Sequence, residues 1–205
     1  MRGKQIICFY LLRKDVFRMP PDKDRLYIAL YARGGVATMP GLEDSYHWAL
    51  HVSPKIEPED GGKGMRFHAR EKLVIAGSPP RAQTVWAYDE AAVPLQRTAM
   101  VLVRIMIGKV KDRNRLRRIF QNIPLRPDVP DWNCVGWVQE AVETAFQDGE
   151  ALGSCAKSWT AVRDTAMWYI AEKRAVHRFD SQAVGRFDLK RTATWDMLKD
   201  KELNP

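Results

Sequence analysis

The chain has few cysteines, and their arrangement suggests neither a disulfide framework nor a structural metal site. The three cysteines, Cys8, Cys134 and Cys155, are spread over 205 residues without a CxxC pair. Such an odd, widely spaced set is typical of reduced thiols, which favours a cytoplasmic location. From this pattern we expect neither a bound metal nor a cofactor.

Long apolar runs are also missing. An apolar run over residues 6–12 follows Arg2 and Lys4, but it is short and charged residues occupy positions 13–15. Because no small-residue cleavage site follows it, we interpret residues 5–12 as a strand rather than a signal peptide. No run is long enough to span a bilayer, so we expect no transmembrane segment.

The overall composition is that of a globular protein, with 45% hydrophobic and 28% charged residues and no internal repeat or low-complexity tract. A chain of this length can bury a full core without disulfides. We predict an α+β protein in which residues 1–150 form the core, including an N-terminal strand. Residues 151–205 are predicted to form a helical C-terminal extension that packs on this core.

The formal net charge is +8, and much of it lies in one segment, residues 109–118. A basic cluster can attract nucleic acid, anionic lipid or an acidic substrate. Aromatic residues are not interleaved with these charges and no nucleic-acid-binding motif is evident, so we interpret the segment as a solvated helix face and consider a nucleic-acid partner unlikely on this pattern. The basic side chains are Lys109, Lys111, Arg113, Arg115, Arg117 and Arg118.

Strand-like segments fill the first half of the chain, and helical spacing dominates the second. A Pro-rich stretch over residues 123–130 precedes the longest amphipathic helix, which Asp131 or Asn133 is placed to cap and Gly149 to end. Residues 177–205 are polar and are predicted to wrap the core or fray. The predicted strands are 26–31, 46–52, 65–70, 84–88 and 100–110, and the predicted helices are 112–121, 133–148 and 158–175.

A histidine-bearing hairpin is the first part of the candidate site. Residues 46–52 alternate, and residues 65–70 do the same, so the two segments are expected to pair as an antiparallel hairpin with an enlarged loop. The alternation puts His47 and His51 on one face of the first strand, and the second strand carries His68. These rings can therefore lie close together.

A cysteine at a helix start is the second part. Cys134 falls in the first turn of its helix, where free backbone N–H groups and the helix dipole favour a thiolate. A histidine across the helix–sheet interface can take the thiol proton, and His47 suits this role, with His68 orienting its ring. His51 is the alternative base. The backbone N–H of Cys134 is the expected oxyanion donor.

Three tryptophans are candidates to line a substrate pocket. Trp132 and Trp137 flank the cysteine, and Trp48 follows the histidine. Core packing is the competing interpretation for each of them. Cys8 and Cys155 have no partners in their local sequence and are interpreted as core or incidental thiols.

The stretch His47-Trp48-Ala49-Leu50, then Phe67-His68-Ala69 and then Asn133-Cys134 resembles the lecithin:retinol acyltransferase-like branch of the permuted papain-like (NlpC-type) superfamily. The resemblance covers about residues 24–148. It implies a small antiparallel sheet packed against the cysteine helix, with Cys134 as nucleophile, His47 as base and His68 as the polar residue that orients it. The family's Glu-His-Phe after the cysteine is replaced by Val135-Gly136-Trp137, so the resemblance does not name a substrate.

Three functions remain open from the sequence. The first is a hydrolase or acyltransferase that acts on an amide, ester or thioester of a small molecule, lipid or peptide through a Cys134 thioester. The second is a non-catalytic module of the same fold that binds a ligand or partner. The third is a basic peripheral protein that meets anionic surfaces through residues 109–118.

Overall fold

A computed structural model describes residues 24–58, 62–180, 182 and 187–205. In these residues the chain forms eight β-strands and three α-helices, and the strands join into one mixed, mostly antiparallel sheet. The predicted α+β class is confirmed. The strand predicted over residues 5–12, and Cys8 within it, lie outside the described residues.

The predicted strands and helices among the described residues occur in the predicted order, with an additional short strand between the second and third helices and two more after the third helix. A short 3₁₀ turn at Glu43–Ser45 precedes the second strand. The strands are β1 Arg25–Ala32, β2 Tyr46–Ser53, β3 Lys63–Ala76, β4 Arg81–Pro94, β5 Val101–Val110, β6 Leu152–Cys155, β7 Ala193–Asp196 and β8 Lys201–Asn204. The helices are α1 Arg113–Asn122, α2 Cys134–Asp148 and α3 Trp159–Ala175.

The sheet is larger than the small antiparallel sheet that was predicted, and it is mixed. Its strand order is β4-β3-β2-β1-β5-β7-β8, with β6 pairing β5 beside this path. The β5–β7 pair is parallel. The C-terminal extension is therefore not purely helical, because β6, β7 and β8 join the sheet. Each of these strands is four residues long, too short to give a periodic signal. They form through pairing, β6 and β7 with β5, and β8 with β7.

The hydrophobic core lies between one face of the sheet and the helices. The predicted alternation of β2 is confirmed, because Trp48 and Leu50 are fully buried in this core and α2 packs against β2 and β3. Asn133 accepts a hydrogen bond from Val135 N at 2.8 Å and so caps α2. Gly149 ends the helix with a φ of 71°, a backbone conformation that glycine adopts without strain.

Two features of the strands matter for the site. The β3–β4 hairpin pairs all the way from Lys63↔Pro94 to Ala76↔Arg81, so its far end projects into solvent. The β2–β3 ladder, in contrast, covers three positions, from Leu50↔Phe67 to Val52↔Met65. The two strands therefore part on the side of His47 and His68.

The basic segment is a solvated helix face only in part, because Lys109 belongs to β5 and Lys111 precedes α1, whereas its four arginines lie exposed on α1. Carboxylates partner several of these charges. Arg115 binds Asp148 at 2.8 Å, and Lys111 binds Glu150 at 2.7 Å. Exposed ion pairs of this kind contribute little to stability. Across the described ranges, no α-helix combines the length and the apolar character needed to cross a membrane.

Candidate functional site

Two histidines and an aspartate form a continuous hydrogen-bonded chain across three neighbouring strands. His47 Nε2 lies 2.6 Å from His68 Nδ1, and His68 Nε2 lies 3.1 Å from Asp89 Oδ2. Asp89 stands directly opposite His68 in the β3–β4 register. Because side chains alternate along a strand and Trp48 faces the helices, His47 and its partners lie on the opposite face of the sheet.

The charge on Asp89 fixes where the protons of this chain sit. Burial opposes ionisation of Asp89, but the hydrogen bond from His68 and the nearby arginines outweigh it and lower the pKa of the carboxyl. An ionised carboxylate only accepts hydrogen bonds, so His68 Nε2 carries a hydrogen and donates it. Burial first, and then Arg66, lowers the pKa of His68 to about 4, so its Nδ1 is an unprotonated acceptor at neutral pH.

The tautomer of His47 follows from that of His68. Its Nε2 must donate to the bare Nδ1 of His68, and burial, followed by the neighbouring His68, lowers the pKa of His47 to about 3. A neutral imidazole has one hydrogen, so Nδ1 of His47 carries a free lone pair. Among the described residues this nitrogen has no hydrogen-bond partner. The chain therefore ends in an unprotonated base.

Two arginines hold Asp89 from the solvent side. Arg66 Nη2 lies 3.4 Å and Arg70 Nη2 3.5 Å from its carboxylate oxygens. Both guanidinium groups help to keep Asp89 ionised and both histidines neutral.

His51, the alternative base, occupies a different environment. Its Nε2 lies 2.5 Å from the hydroxyl oxygen of Tyr31, and the residue is 4% exposed. Burial and then Arg104 hold the pKa of His51 well below its usual value. The hydrogen-bonded line to a carboxylate runs through His47 and not through His51.

Cys134 is the first residue of α2, as predicted, and its side chain is fully buried. Burial raises the pKa of the thiol, while the backbone N–H of Trp48 and the charge of Arg33 act in the opposite direction. The sulfur thus lies against the backbone one residue from His47. Within the part of the chain that the structure describes, no hydrogen bond joins Cys134 to His47.

The three tryptophans predicted to line a pocket are buried to different degrees. Trp48 and Trp137 are 0% exposed, and Trp48 packs against Trp159 with ring centroids 5.6 Å apart. Trp132 is half-buried and meets Trp86 edge-on at 5.1 Å. Core packing accounts for the contacts of the two buried rings, and the substrate-binding role stays a prediction.

Asp89 is the residue of the candidate site that was not predicted from the sequence. The predicted strand ended at residue 88, whereas β4 runs to Pro94 and brings Asp89 opposite His68. No pairing between the predicted strands 65–70 and 84–88 was inferred, so the sequence offered no register that joins these two residues. In the described ranges, no group of three or more His, Cys, Asp or Glu side chains is arranged to hold a metal ion.

A cavity of about 410 Å³ opens beside the histidines on the face of the sheet away from the helices. Its lining surface is mainly apolar, and we call the polar part formed by His47, His51 and Arg66 its floor. The lining also includes Tyr31, Val93 and Met100.

The fold and the site together define an α+β protein with a buried helix-start cysteine beside a His-His-Asp chain. The chain belongs to a family of unknown function (DUF6914), whose sequence model matches residues 23–204. No curated protein and no solved structure matches the chain.

Proposed function

We propose that this protein is a cysteine-dependent acyl-transfer enzyme of the permuted papain-like type, in which Cys134 forms a thioester and His47 is the general base. The observation that carries the proposal is the hydrogen-bonded line from Asp89 through His68 to His47, which leaves His47 Nδ1 as an unprotonated base. The order of the elements, with both histidines before the cysteine helix, agrees with a permuted arrangement.

The first chemical step is attack of the thiol on an acyl carbon. His47 Nδ1 takes the proton from Cys134 as the sulfur–carbon bond forms, because burial raises the thiol pKa and disfavours a free thiolate at rest. The imidazolium that results is stabilised by its hydrogen bond to His68 and by the negative charge of Asp89, which accepts a hydrogen bond from His68. General-base catalysis of this kind contributes about 10²–10⁴-fold to a rate.

The second step is collapse of the tetrahedral intermediate. The N–H of Val135 is engaged by Asn133, so the backbone N–H of Cys134 at the start of α2 is the donor for the oxyanion. His47 returns its proton to the leaving amine, alcohol or thiol, and the acyl group stays on the sulfur. Water then releases it as an acid, or an amine accepts it, so the same thioester serves a hydrolase or a transferase.

Access to the sulfur requires movement, because Cys134 is 0% exposed. The β1–β2 connection lies close by, since Asn133 Nδ2 donates to the sulfur of Met39 at 3.5 Å. Residues 33–36 of that connection are exposed. We assign the opening motion to this connection.

A second candidate function is a non-catalytic module that binds a ligand in the cavity. The full burial of Cys134 and the missing hydrogen bond to His47 among the described residues favour it. Under this alternative, Cys134→Ser leaves binding intact and the thiol is inert in the folded protein.

Alkylation by iodoacetamide near neutral pH separates the two functions, with the modified cysteine located by peptide mass spectrometry. The enzyme predicts that Cys134 is labelled in the folded protein and that His47→Gln slows the labelling by about tenfold or more. Exposed His177 provides the control variant His177→Gln, which should leave the rate unchanged. Half-buried Cys155 is the internal reference, and labelling of Cys155 alone supports the binding module.

A further inference from the structure

The cavity beside His47 combines a buried polar floor with apolar walls, which is the general form of a small-molecule site. Its volume is about 410 Å³, and His47 belongs both to its lining and to the proton chain. Val93, Met100 and Val101 supply apolar contact surface. A molecule in this cavity therefore lies against the proposed base.

Two polar atoms of the lining residues are buried and have no hydrogen-bond partner in the described part of the chain. These are Nδ1 of His51 and Nε of Arg66. Buried polar groups in folded proteins are normally paired, and an unpaired one costs free energy. His51 is 4% exposed, so bulk water has little access to its ring as a replacement hydrogen-bond partner. A ligand group that accepts hydrogen bonds would satisfy this floor.

The charged side chains around the floor of the cavity carry a net positive charge. Arg66, Arg70 and Arg104 face two carboxylates, Asp89 and Glu57. Glu57 is engaged by Arg104 at 2.8 Å, and Asp89 is shared between His68 at 3.1 Å, Arg66 at 3.4 Å and Arg70 at 3.5 Å. Three guanidinium charges therefore face two carboxylate charges, which leaves one positive charge in excess among these residues.

We propose that this cavity binds a carboxylate of the substrate, with Arg66 as its ion-pair partner, and that the substrate class is a small acyl compound bearing a second, free carboxylate. The reacting amide, ester or thioester carbonyl lies at the His47 end, and the carboxylate lies at the Arg66 end. The apolar walls contact the short chain between them. The assignment of the reacting end rests on the proposed function, whereas the binding of the carboxylate rests on the cavity itself.

The test compares two nearly isosteric probes, the monoamide of glutaric acid and the uncharged diamide. Binding is measured by calorimetry on the full chain carrying Cys134→Ser, which removes turnover. The monoamide is expected to bind about tenfold or more tighter than the diamide, since a charge-assisted pair to arginine distinguishes them. Equal affinities, or no binding of either probe, overturn the proposal.

A variant of Arg66 tests whether this residue binds the carboxylate. Arg66→Gln should reduce monoamide affinity to that of the diamide, and exposed Arg115 on α1 supplies the control Arg115→Gln, which should change neither. Unchanged monoamide binding in Arg66→Gln overturns the assignment, and the two-probe comparison stands even if this variant does not fold. Inorganic phosphate is the third probe, and phosphate binding as tight as the monoamide shows an unspecific anion site and also overturns the proposal.

The outcomes separate this inference from the proposed function. Binding to the Cys134→Ser protein needs no thiol chemistry, and the alkylation test needs no ligand. If Cys134 is inert and the monoamide binds selectively, the protein is a carboxylate-binding module. A reactive Cys134 without such binding leaves an enzyme for a different substrate class.

Discussion

At the scale of single residues, one carboxylate determines which nitrogen carries the hydrogen in two neutral imidazoles. Asp89 accepts from His68, and this leaves His68 Nδ1 to accept from His47. Burial lowers the pKa of both rings, so neither is an imidazolium at neutral pH. Asp89 thus influences His47 at a distance, through the position of a proton on that ring.

This tautomer assignment is directly observable. Nitrogen-15 NMR of the histidine rings should show the hydrogen on Nε2 of both His47 and His68 in the wild-type protein near neutral pH. Asp89→Asn removes the charge that fixes the chain, because an amide both donates and accepts. In that variant the tautomers should mix, and alkylation of Cys134 should slow.

The control is Asp180→Asn, since Asp180 binds only the exposed His177 among the described histidines, at 2.9 Å. This variant should leave the His47 signal and the alkylation rate unchanged. A wild-type His47 with its hydrogen on Nδ1 contradicts the account, because that ring has no free lone pair where the base is required.

The same two histidines predict how stability depends on pH. Their pKa values fall from 6.5 to about 3 and about 4 on folding, so below pH 6.5 the unfolded chain binds more protons than the folded one. This contribution to stability is complete above pH 6.5 and is lost as the pH falls. Each histidine adds a slope of about 1.4 kcal/mol per pH unit between pH 6.5 and its folded-state pKa.

Urea unfolding at several pH values measures this slope. We expect His68→Gln to flatten the decline between pH 6.5 and 5, a range above the carboxylate titrations. The variant His177→Gln should keep the wild-type slope, because His177 is 47% exposed in its side chain. A wild-type stability that does not change over this range contradicts the burial of neutral rings.

At the scale of elements, the start of α2 combines a structural and a chemical role. The side chain of Asn133 caps the helix, and the next residue is the proposed nucleophile. Asn133→Ala should lower the free energy of unfolding by about 1 kcal/mol, since the cap is lost. Asn133→Asp should keep the stability near that of the wild type.

The aspartate variant also tests the chemistry. A carboxylate one residue from Cys134 disfavours the thiolate, so alkylation should slow although the helix stays capped. We therefore expect Asn133→Ala to lower the free energy of unfolding. Asn133→Asp should slow the alkylation without that loss of stability. Equal alkylation rates in Asn133→Asp and the wild type would show that charge at the helix start does not act on this sulfur.

The outer part of the β3–β4 hairpin contributes little to the fold. Leu73 and Ile75 are 70% and 76% exposed, and the neighbouring positions are similar. Replacing residues 73–84 with Asn-Gly joins Lys72 and Val85, which already pair, through a two-residue turn. The free energy of unfolding should change by less than about 1 kcal/mol.

A core variant on the same strand gives the contrast. Phe67 is 3% exposed and packs against Phe120 with ring centroids 5.2 Å apart. Phe67→Ala should cost about 3–5 kcal/mol in the same unfolding measurement. A shortened hairpin that is as destabilised as Phe67→Ala would show that the projecting part does support the core.

The part of this site that the sequence predicts is the part set by local periodicity. Alternation in β2 and β3 is enough to bring His47 and His68 together, and the cap at Asn133 is enough to place Cys134 at a helix start. Asp89 was missed because strand length is decided by cross-strand pairing. The four-residue strands β6, β7 and β8 were missed because they form through pairing. β6 and β7 pair with β5, far away in the chain, and β8 pairs with β7.

At the scale of the whole molecule, the sheet separates two environments. The helices and the hydrophobic core occupy one face, and the His-His-Asp chain, the arginines and the cavity occupy the other. Cys134 belongs to the helix side, and its sulfur reaches the backbone of β2 at Trp48, where β2 and β3 have parted. The proposed reaction takes place at this gap in the sheet.

Acetylation by p-nitrophenyl acetate tests the central claim most directly, with intact mass and peptide mapping as the readout. The account predicts one acetyl group per chain on Cys134, none there in Cys134→Ser, and formation slower by about 10² or more in His47→Gln. An unmodified Cys134 in the folded wild-type protein, or the same rate of acetylation without the His47 imidazole, contradicts it.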